Sequence, residues 1–334
     1  MTSLITGASG FVAKHLYELL INNNEEVIRT SLEHEKLDDS FVTLDVCNYD
    51  NCYEVINNYN VDVIYHLAGI AAPKVCENNF QLAISVNVGG VYNILKASED
   101  SNKKVRVIII SSSECYGKID SSLMPIKEDT PCVPASNYGV SKLMAEEVAL
   151  KFMRYSKNPY LECVIARPFN HIGPKQNLGF VVPDFCTQIA KIEKGLIEPT
   201  ISVGNLEAQR DFTDVRDIVK AYYALSKKGK GIYNLCSGEP HKIKEILDII
   251  LNFSSKEIQV KEDHNRMRAS DVPLFIGDAS KAKNELQWEK KISFKQSLRD
   301  AYDYIYESIN GLKIDSSAEK EVTITRDKKL VIKI

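Results

Sequence analysis

The chain has 334 residues and a formal net charge of −3, and 44% of its residues are hydrophobic. This length allows one large domain, or two closely joined ones, with a well-buried core. The nearly balanced charge argues against nucleic acid as a partner, because a nucleic-acid-binding surface needs a basic surplus or a basic stripe. It is compatible with a phosphate-bearing small molecule, since a few local arginines and lysines can bind one.

The start of the chain and its cysteines predict a cytoplasmic protein. No apolar run approaches the roughly 20 residues of a membrane span, and Met1–Thr6 lead into a glycine turn without the basic and apolar regions of a signal peptide. None of the eight cysteines forms a C-x-x-C pair or lies near a histidine at zinc spacing. We therefore expect buried free thiols, no metal site and no membrane partner.

Short β-rich runs alternate with helical patterns in the first two-thirds of the chain. The predicted strands, which are rich in Val and Ile, cover residues 3–6, 26–30, 41–44, 61–67, 105–111, 160–166 and 231–235. The predicted helices cover residues 11–22, 49–58, 86–99, 138–155, 185–194, 215–227 and 243–253. Strands that are apolar on both faces and alternate with helices indicate an α/β fold with a Rossmann-type doubly wound parallel sheet.

The alternation loosens after residue 170, where prolines punctuate a loop-rich stretch. We therefore predict a dinucleotide-binding Rossmann domain at residues 1–170 plus 215–237, and a smaller C-terminal substrate-binding lobe at residues 171–214 plus 238–312. Residues 313–334 hold two alternating β-like runs around a charged turn, which favours a hairpin. This extension is expected to pack on the main body or to pair with another subunit, with local disorder as the alternative.

A glycine-rich turn, TGASGFVA, lies at the first strand-to-helix junction. Gly7 permits the tight turn, and Gly10 lets the backbone approach a pyrophosphate. The helix that follows presents free N–H groups and the positive end of its dipole. The turn therefore predicts a dinucleotide site, with contacts from Gly7, Ser9, Gly10, Phe11 and Val12.

The end of the second predicted strand bears on which dinucleotide binds. An NAD site usually has an acidic residue there, which holds the ribose 2′-hydroxyl. This chain has Arg29-Thr30-Ser31 instead, a cation and two hydroxyls that suit a 2′-phosphate. NADP(H) is therefore the favoured cofactor, with Arg29 and Ser31 as contacts, and NAD(H) is the alternative.

Tyr138 and Lys142 lie four residues apart in a predicted helix and so share one face. An ammonium beside a phenol stabilises the phenolate and lowers the tyrosine pKa, which suits Tyr138 for proton transfer at a carbonyl oxygen. A serine cluster, Ser111–Ser113, ends another predicted strand, where ligands of open α/β sheets bind. This combination predicts hydride transfer to a carbonyl.

In these motifs the chain resembles the extended short-chain dehydrogenase/reductases, over residues 1–310. The resemblance lies in TGASGFVA, HLAG, SSSECYG and YGVSK. It implies Ser112 as the catalytic serine, with Ser113 as the rival, and a homodimer formed through a bundle of the helices at 86–99 and 138–155. It also implies further cofactor contacts, at Asp45, Val46, Leu67, Ala68, Gly69, Asn87, Tyr138, Lys142 and Arg167.

Later segments bring cations and amides to the expected substrate side. Arg210 and Arg268 lie in separate segments, and their planar donor forks suit one diphosphate, although loop arginines also form ordinary surface ion pairs. His171 fits a substrate contact or a structural loop histidine equally well. The predicted substrate-binding residues are Ser113, Asn170, Lys175, Val181, Val182, Gly204, Arg210, Arg268 and Asp271.

The segments RPFNHIGP, GFVVPDF and GNLEAQRDFTDVRDIV are similar to those of the GDP-4-dehydro-6-deoxy-D-mannose reductases. This implies reduction of the C4 ketone of a nucleotide-linked 6-deoxyhexulose, most specifically to GDP-D-rhamnose. GDP-mannose 4,6-dehydratases and sugar-nucleotide epimerases are the alternatives, because Glu114 beside Ser112 matches the base that a dehydratase needs. A non-enzymatic cofactor-sensing protein is disfavoured, since Tyr138 and Lys142 are both retained.

Overall fold

The computed structural model describes residues 1–263 and 272–310. Its strands are β1 (Thr2–Thr6), β2 (Glu26–Ser31), β3 (Val42–Thr43), β4 (Val63–His66), β5 (Val105–Ile110), β6 (Leu161–Pro168), β7 (Asn170–Ile172), β8 (Thr200–Val203), β9 (Gln209–Asp214), β10 (Gly231–Leu235), β11 (Pro240–Lys242), β12 (Gln259–Glu262) and β13 (Leu274–Phe275). Its α-helices are α1 (Phe11–Asn22), α2 (Tyr49–Asn58), α3 (Pro73–Asn78), α4 (Phe80–Ala83), α5 (Gly90–Asp100), α6 (Asn137–Tyr155), α7 (Val181–Glu193), α8 (Val215–Lys228), α9 (Ile243–Leu251), α10 (Ser280–Leu286) and α11 (Phe294–Asn310). A π-helical segment, Ile84–Gly89, joins α4 to α5 without a break.

Seven strands form one parallel sheet in the order β10-β6-β5-β4-β1-β2-β3. β1 pairs with β2 on one side and with β4 on the other. β2 and β3 therefore extend the sheet from β1 in one direction, and the strands from β4 onward extend it in the opposite direction. These are the seven strands that the apolar runs predicted. The Rossmann-type doubly wound parallel sheet is therefore confirmed.

Helices cover both faces of this sheet because alternate strand residues point to opposite sides. On β1, Leu4 lies in the core beneath α2, α5 and α6, whereas its neighbour Ile5 lies in the core beneath α1 and α8. On β5, Val107 and Ile109 face the first of these cores, and Ile108 faces the second. Burial on both faces explains why the strands are apolar at successive positions.

The smaller C-terminal lobe packs α7, α9 and α11 against short strands. β9 is the centre of a four-stranded sheet with β7, β11 and β13, and β8 pairs with β12. Its core contains Phe185, Ile189, Ile201, Ile246 and Leu298. β9 runs directly into α8, because its last residue, Asp214, is also the residue that caps α8.

One part of the predicted lobe belongs to the sheet instead. Ala282 and Leu286 of α10, together with Trp288, lie in the core formed with α1 and α8, and Trp288 Nε1 donates a 2.8 Å hydrogen bond to the Asp217 carbonyl. The prediction that all of residues 238–312 belong to the lobe is therefore wrong for α10 and Trp288. The remaining domain boundaries stay a prediction.

Two predicted features, the hairpin at 313–334 and the site residues Arg268 and Asp271, fall outside the described residues. Within the described part of the chain, no helix combines the length and the apolar character that crossing a membrane requires.

Candidate active site

The candidate site is a crevice at the carboxyl ends of β1, β4 and β5. Gly7 follows β1, Leu67–Gly69 follow β4, and Ser111–Ser113 follow β5. β4 lies between β1 and β5, so the three connections meet at one edge of the sheet. Ligands of open α/β sheets bind where neighbouring connections diverge, as they do between β1 and β4.

The glycine turn after β1 is built for close backbone approach. Gly7 has φ of +64°, and a Cβ atom there would lie 2.8 Å from the Cα of Ala68. The Gly10 N–H donates to the Gly7 carbonyl at 3.1 Å, and α1 starts at the next residue. No side chain caps α1 and no acidic residue lies in its first turn, so its free N–H groups can bind a phosphate.

A buried polar contact fixes the segment after β4 against β1. The Ala68 N–H donates to Thr6 Oγ1 at 3.0 Å, and the same hydroxyl lies 3.0 Å from His66 Nδ1. Burial lowers the pKa of His66 to about 3, so this imidazole is neutral. The two walls of the crevice are therefore held together without a charge.

Tyr138 and Lys142 project from the first turns of α6. The Ser136 hydroxyl accepts a 3.0 Å hydrogen bond from the Gly139 N–H and so caps this helix. Lys142 Nζ donates to the Ile110 carbonyl at 2.8 Å and lies 5.9 Å from the centre of the Tyr138 ring. α6 thus brings both predicted catalytic side chains to the end of β5.

The pKa shifts of Tyr138 and Lys142 differ from those that the sequence predicted. Burial raises the pKa of Tyr138, and the interaction of its phenol with the Ser112 hydroxyl only partly opposes this. Burial also lowers the pKa of Lys142 to about 8. The expected lowering of the Tyr138 pKa by Lys142 is therefore wrong for this arrangement, since the ammonium binds the Ile110 carbonyl and desolvation dominates. Tyr138 carries its proton at neutral pH.

Ser112 lies between strand β5 and a short 3₁₀ turn, Ser113–Cys115. Its Oγ accepts the Glu114 N–H at 3.2 Å, while its hydroxyl interacts with the Tyr138 phenol. Ser113 is buried and Glu114 is exposed. The structure therefore brings Ser112, rather than its rival Ser113, to Tyr138.

Gly139 has a role at the site that the sequence analysis did not identify. A Cβ atom at this position would lie 2.5 Å from the Glu114 carbonyl oxygen. The start of α6 therefore contacts the turn that follows Ser112 backbone to backbone. The glycine within YGVSK was the available signal.

Asn87 lies in the π-helical segment and ties three parts of the site together. Its Oδ1 accepts the Ile70 N–H at 2.7 Å, and its Nδ2 donates to the Ile70 carbonyl and to Ser141 Oγ. The Ser141 hydroxyl in turn donates to the Tyr138 carbonyl at 2.8 Å. π-Helical insertions are frequent at functional sites. Here the insertion places an amide beside Gly69, where an added Cβ would lie 3.0 Å from Asn87 Oδ1.

Two predicted contacts are wrong. Arg167 was expected at the cofactor, but its guanidinium is buried in the core, where it binds Glu146 and the Tyr116 hydroxyl. Val182 was expected at the substrate, but its side chain is buried in the core of the lobe. Alternation along a strand and around a helix turns both side chains away from the crevice.

Both residues predicted to bind a 2′-phosphate, Arg29 and Ser31, interact with other groups of the chain. The Arg29 guanidinium lies between the rings of Tyr17 and Phe41, at 4.5 and 4.3 Å from their centres, and pairs with Asp38 at 3.1 Å. Ser31 is buried and donates to the Leu32 carbonyl at 3.1 Å. The cation behind the NADP(H) prediction is therefore largely neutralised.

Other predicted cofactor residues lie around the crevice. Phe11 stacks on His171 of β7, with 6.1 Å between ring centres and an angle of 12°. Asp45 is exposed and its Oδ1 accepts the Cys47 N–H at 2.9 Å. Val46 is buried against Gly90, where an added Cβ would lie 2.9 Å from its Cγ2. Ser9 Oγ lies 3.5 Å from Glu35 Oε2, and Val12 of α1 is partly buried against the core beneath α1 and α8.

The substrate-side residues are less closely grouped. Arg210 lies on β9 and donates to the Val272 carbonyl. Asn170 donates to the Asp211 carbonyl at 3.3 Å, and Lys175 pairs with Glu18 of α1. Two predicted contacts lie at element ends, Gly204 after β8 and Val181 at the start of α7. Among residues 1–263 and 272–310, no cluster of His, Cys, Asp or Glu could hold a metal ion.

A doubly wound sheet with a phosphate-binding turn and a serine–tyrosine–lysine set at its edge defines an NAD(P)-dependent, extended short-chain dehydrogenase/reductase. The family described as GDP-mannose 4,6 dehydratase matches residues 4–301. The chain belongs to this family.

Two known relatives and one solved structure are similar over most of their length. GDP-6-deoxy-D-mannose reductase of Pseudomonas aeruginosa is 30% identical over 297 residues, which cover 88% of this chain and 94% of the relative. GDP-6-deoxy-D-talose 4-dehydrogenase of Aggregatibacter actinomycetemcomitans is 30% identical over 290 residues, or 86% of this chain and 91% of the relative. The solved structure of RMD from Pseudomonas aeruginosa, complexed with NADPH, has a TM-score of 0.82 at 28% identity and covers 92% of this chain and 99% of that one.

Proposed function

We propose that this protein reduces the C4 ketone of GDP-4-dehydro-6-deoxy-D-mannose to GDP-D-rhamnose, with NADPH as the hydride donor. The observation that carries the proposal is the meeting of Tyr138, Lys142 and Ser112 at the edge of the sheet, beside the glycine turn. The two relatives described above support the substrate, because both are named for reactions of GDP-6-deoxyhexoses.

The residues present fit a dinucleotide. A side chain at Gly7 would clash with Ala68, and the uncapped start of α1 has free N–H groups that can bind a pyrophosphate. With a nicotinamide dinucleotide held by these residues, the cofactor would supply the hydride for C4. Ser112 donates a hydrogen bond to the ketone oxygen and stabilises the charge that develops there. Tyr138 transfers its phenolic proton to that oxygen, and the Lys142 ammonium stabilises the phenolate that results.

Support for the cofactor comes from two sides. The chain lacks an acidic residue at the end of β2, and the structural neighbour RMD was solved with NADPH. The Arg29–Asp38 pair weakens the preference that a free arginine would give. NADPH is therefore the proposed donor, and NADH is the alternative.

For the substrate, we propose that Arg210 and Arg268 bind the diphosphate and that Asn170, Lys175, Gly204, Val181 and Asp271 surround the nucleotide sugar. The planar donor fork of Arg210, on β9 of the smaller lobe, supports this, because it matches the oxygens of a diphosphate. Binding energy from the diphosphate would align C4 with the hydride donor.

Glu114 supports a second function, that of a GDP-mannose 4,6-dehydratase. It is exposed, its backbone N–H donates to Ser112 Oγ, and the charge of its carboxylate contributes to the raised pKa of Tyr138. As a base at C5 it would allow loss of water across C5 and C6 after oxidation at C4. An epimerase would use the same Tyr138 and Lys142, with a 4-keto sugar intermediate that rotates in the site between removal and return of the hydride.

We also propose a cytoplasmic homodimer, formed through a bundle of α5 and α6 from each subunit. The exposed apolar side chains of these helices support it, with Tyr92 on α5 and Met144 and Met153 on α6. Light scattering of the purified protein tests it, and a monomer at micromolar concentration would rule it out.

The deciding experiment is incubation of the purified protein with NADPH and GDP-4-keto-6-deoxymannose, with the product identified by proton NMR. An axial H4 with large couplings to H3 and H5 is expected for GDP-D-rhamnose, whereas small couplings would identify the C4 epimer, GDP-6-deoxy-D-talose. A parallel incubation with GDP-mannose and NADP⁺ tests the second function. If GDP-mannose is converted in this incubation and NADPH is not consumed in the first assay, the protein is a dehydratase and not a reductase.

A further inference from the structure

A buried ion pair beneath Lys142 has no part in the mechanism above. Glu146 is 1% exposed and Arg167 is 4% exposed. Arg167 Nε donates to Glu146 Oε1 at 2.9 Å, and its Nη2 donates to Oε2 at 2.6 Å, so the pair is bidentate. Bidentate pairs of this kind fix both partners in orientation as well as in position.

The pair lies directly below the reaction centre. Tyr138, Lys142 and Glu146 follow one another at four-residue spacing along one face of α6. The Ser111 hydroxyl donates to Glu146 Oε1, and the Ser111 N–H donates to the Ala166 carbonyl at 2.8 Å. Glu146 therefore binds the residue immediately before Ser112.

Arg167 extends the network to the far strand of the sheet. Its Nη1 donates to the Tyr116 hydroxyl at 2.9 Å and to the Glu128 carbonyl at 3.1 Å. The Tyr116 hydroxyl donates to Asn234 Oδ1 of β10 at 2.7 Å. α6, β6 and β10 are thereby connected through one guanidinium. Removal of one member would leave a buried charge without its partner.

Glu146 is also the anionic group that acts on Lys142. The groups that face the ammonium are Glu146 on its own helix, Cys115 after β5, Cys76 on α3 and His66 on β4. Burial raises the pKa of both thiols and lowers that of His66, so these three are neutral near pH 7. The carboxylate of Glu146 is then the charge that opposes loss of the Lys142 proton.

We propose that the Glu146–Arg167 pair is a positioning unit of the reaction centre. It holds Ser111, and with it the Ser112 hydroxyl, against the face of α6 that carries Lys142. It also keeps Lys142 in its ammonium form, while Arg167 fixes the carboxylate. This role depends on the proposed function, because it acts through Ser112 and Lys142.

Glu146→Gln tests the charge, since the amide keeps the shape of the side chain and can still bind Ser111. We expect kcat to fall about tenfold or more while the substrate KM changes little, because hydride and proton transfer need an ordered site. The alkaline limb of the kcat profile should move to lower pH by about one unit. Unchanged kcat together with an unmoved limb would overturn the inference.

Ser111→Ala tests the positioning separately and leaves the ion pair in place. It should lower kcat without moving the alkaline limb, and an unchanged kcat would refute the link from Glu146 to Ser112. This variant still tests the positioning role in the event that Glu146→Gln does not fold. The matched control is Glu162→Gln, which breaks the Arg106–Glu162 pair between β5 and β6, at the ends of these strands that lie away from Ser111 and Arg167. Its kcat and pH profile should equal those of the unmodified protein.

A measurement without substrate separates this inference from the proposed function. Competitive labelling of amines across a pH series, read by mass spectrometry, gives the titration midpoint of Lys142. A lower midpoint in Glu146→Gln than in the unmodified protein supports the role of the carboxylate even if GDP-4-keto-6-deoxymannose is not turned over. If the unmodified protein turns over normally and Glu146→Gln has the same kcat and the same Lys142 midpoint, the inference is wrong while the proposed function stands.

Discussion

The Lys142 ammonium donates a 2.8 Å hydrogen bond to the carbonyl of Ile110, the last residue of β5. This bond ties the helix that carries Tyr138 to the strand that leads into Ser112. The catalytic groups are thus held by regular elements, and sites built on such elements are more precise than sites on loops.

Tyr138→Phe removes the proton donor and leaves the ring. We expect kcat for reduction to fall by about 10²- to 10⁴-fold, the usual contribution of a general acid. The Kd for NADPH should stay near its original value, since the glycine turn is untouched. Stopped-flow turnover and fluorescence titration measure the two quantities. Tyr160→Phe, at an exposed tyrosine, is the control, and near-normal turnover of Tyr138→Phe would disprove the assigned role.

The rate of reduction should depend on pH through Lys142. Its pKa is lowered to about 8, so the ammonium is present below this pH and is lost as the pH rises through it. Because the pKa of Tyr138 is raised, the phenol stays protonated over the same range. We therefore expect kcat/KM to be level below pH 8 and to fall above it.

Lys142→Arg checks the assignment of that limb, because a guanidinium keeps its proton throughout this range. The variant should be slower at all pH values, and the fall above pH 8 should disappear. An alkaline limb that persists unchanged in this variant would assign the titration to another group.

Gly139→Ala should damage both stability and activity. The added Cβ would lie 2.5 Å from the Glu114 carbonyl oxygen, so the start of α6 or the Ser112 turn must move. Overpacking of this kind costs about 1–3 kcal/mol of unfolding free energy. Denaturant unfolding and kcat measure the two effects. The control is Gly89→Ala, whose Cβ would meet the Ile84 carbonyl oxygen at 3.9 Å. Equal behaviour of the two variants would contradict the close contact.

Asp38→Asn should strengthen the preference for NADPH. The change removes the carboxylate that pairs with Arg29 and leaves the guanidinium free to attract a 2′-phosphate. Because the pair is partly exposed, we expect the ratio of kcat/KM with NADPH to that with NADH to rise only about two- to fivefold. The gain should shrink at high salt. Asp39→Asn is the neighbouring control, and a ratio that falls in Asp38→Asn would speak against a role for Arg29.

The main sheet could be predicted because its central strands, β1, β4, β5 and β6, are largely buried on both faces. β5 is apolar at every position except Arg106, and such runs identify parallel strands without knowledge of their partners. α1 and α2 have the predicted bounds, and α6 begins one residue before the prediction. Their apolar periodicity and their neighbouring turns determine these limits locally.

Most of the lobe's strands were beyond such prediction. β12 is exposed at all four positions, and β13 has only two residues, so neither has a pattern of its own. They form because β8 and β9 offer partners that are far away in the sequence. α11 was missed for another reason, since its buried Leu298, Ala301 and Tyr302 recur at helical spacing and could have been recognised.

The candidate site likewise contains residues that local patterns located and residues whose surroundings depend on distant parts of the chain. Tyr138 and Lys142 were found from helical spacing, and the serine cluster from its place at the end of a strand. The choice of Ser112 within that cluster was implied by the family resemblance. The place of Arg167 was not predictable in this way, because it depends on Glu146, a partner 21 residues away in another element. The state of Arg29 depends in turn on Tyr17 and Phe41, which only the folded chain brings around it.

The passage of β9 into α8 through Asp214 has a consequence for how such enzymes can be altered. The chain enters the lobe again after β10, returns to the sheet with α10 and re-enters the lobe with α11, where the described residues end. A chimera that exchanged the lobe as a module would need several junctions, one of them inside this strand–helix joint. Changes of substrate choice, in evolution or in the laboratory, should therefore come from single substitutions around the crevice rather than from shuffling of whole lobes.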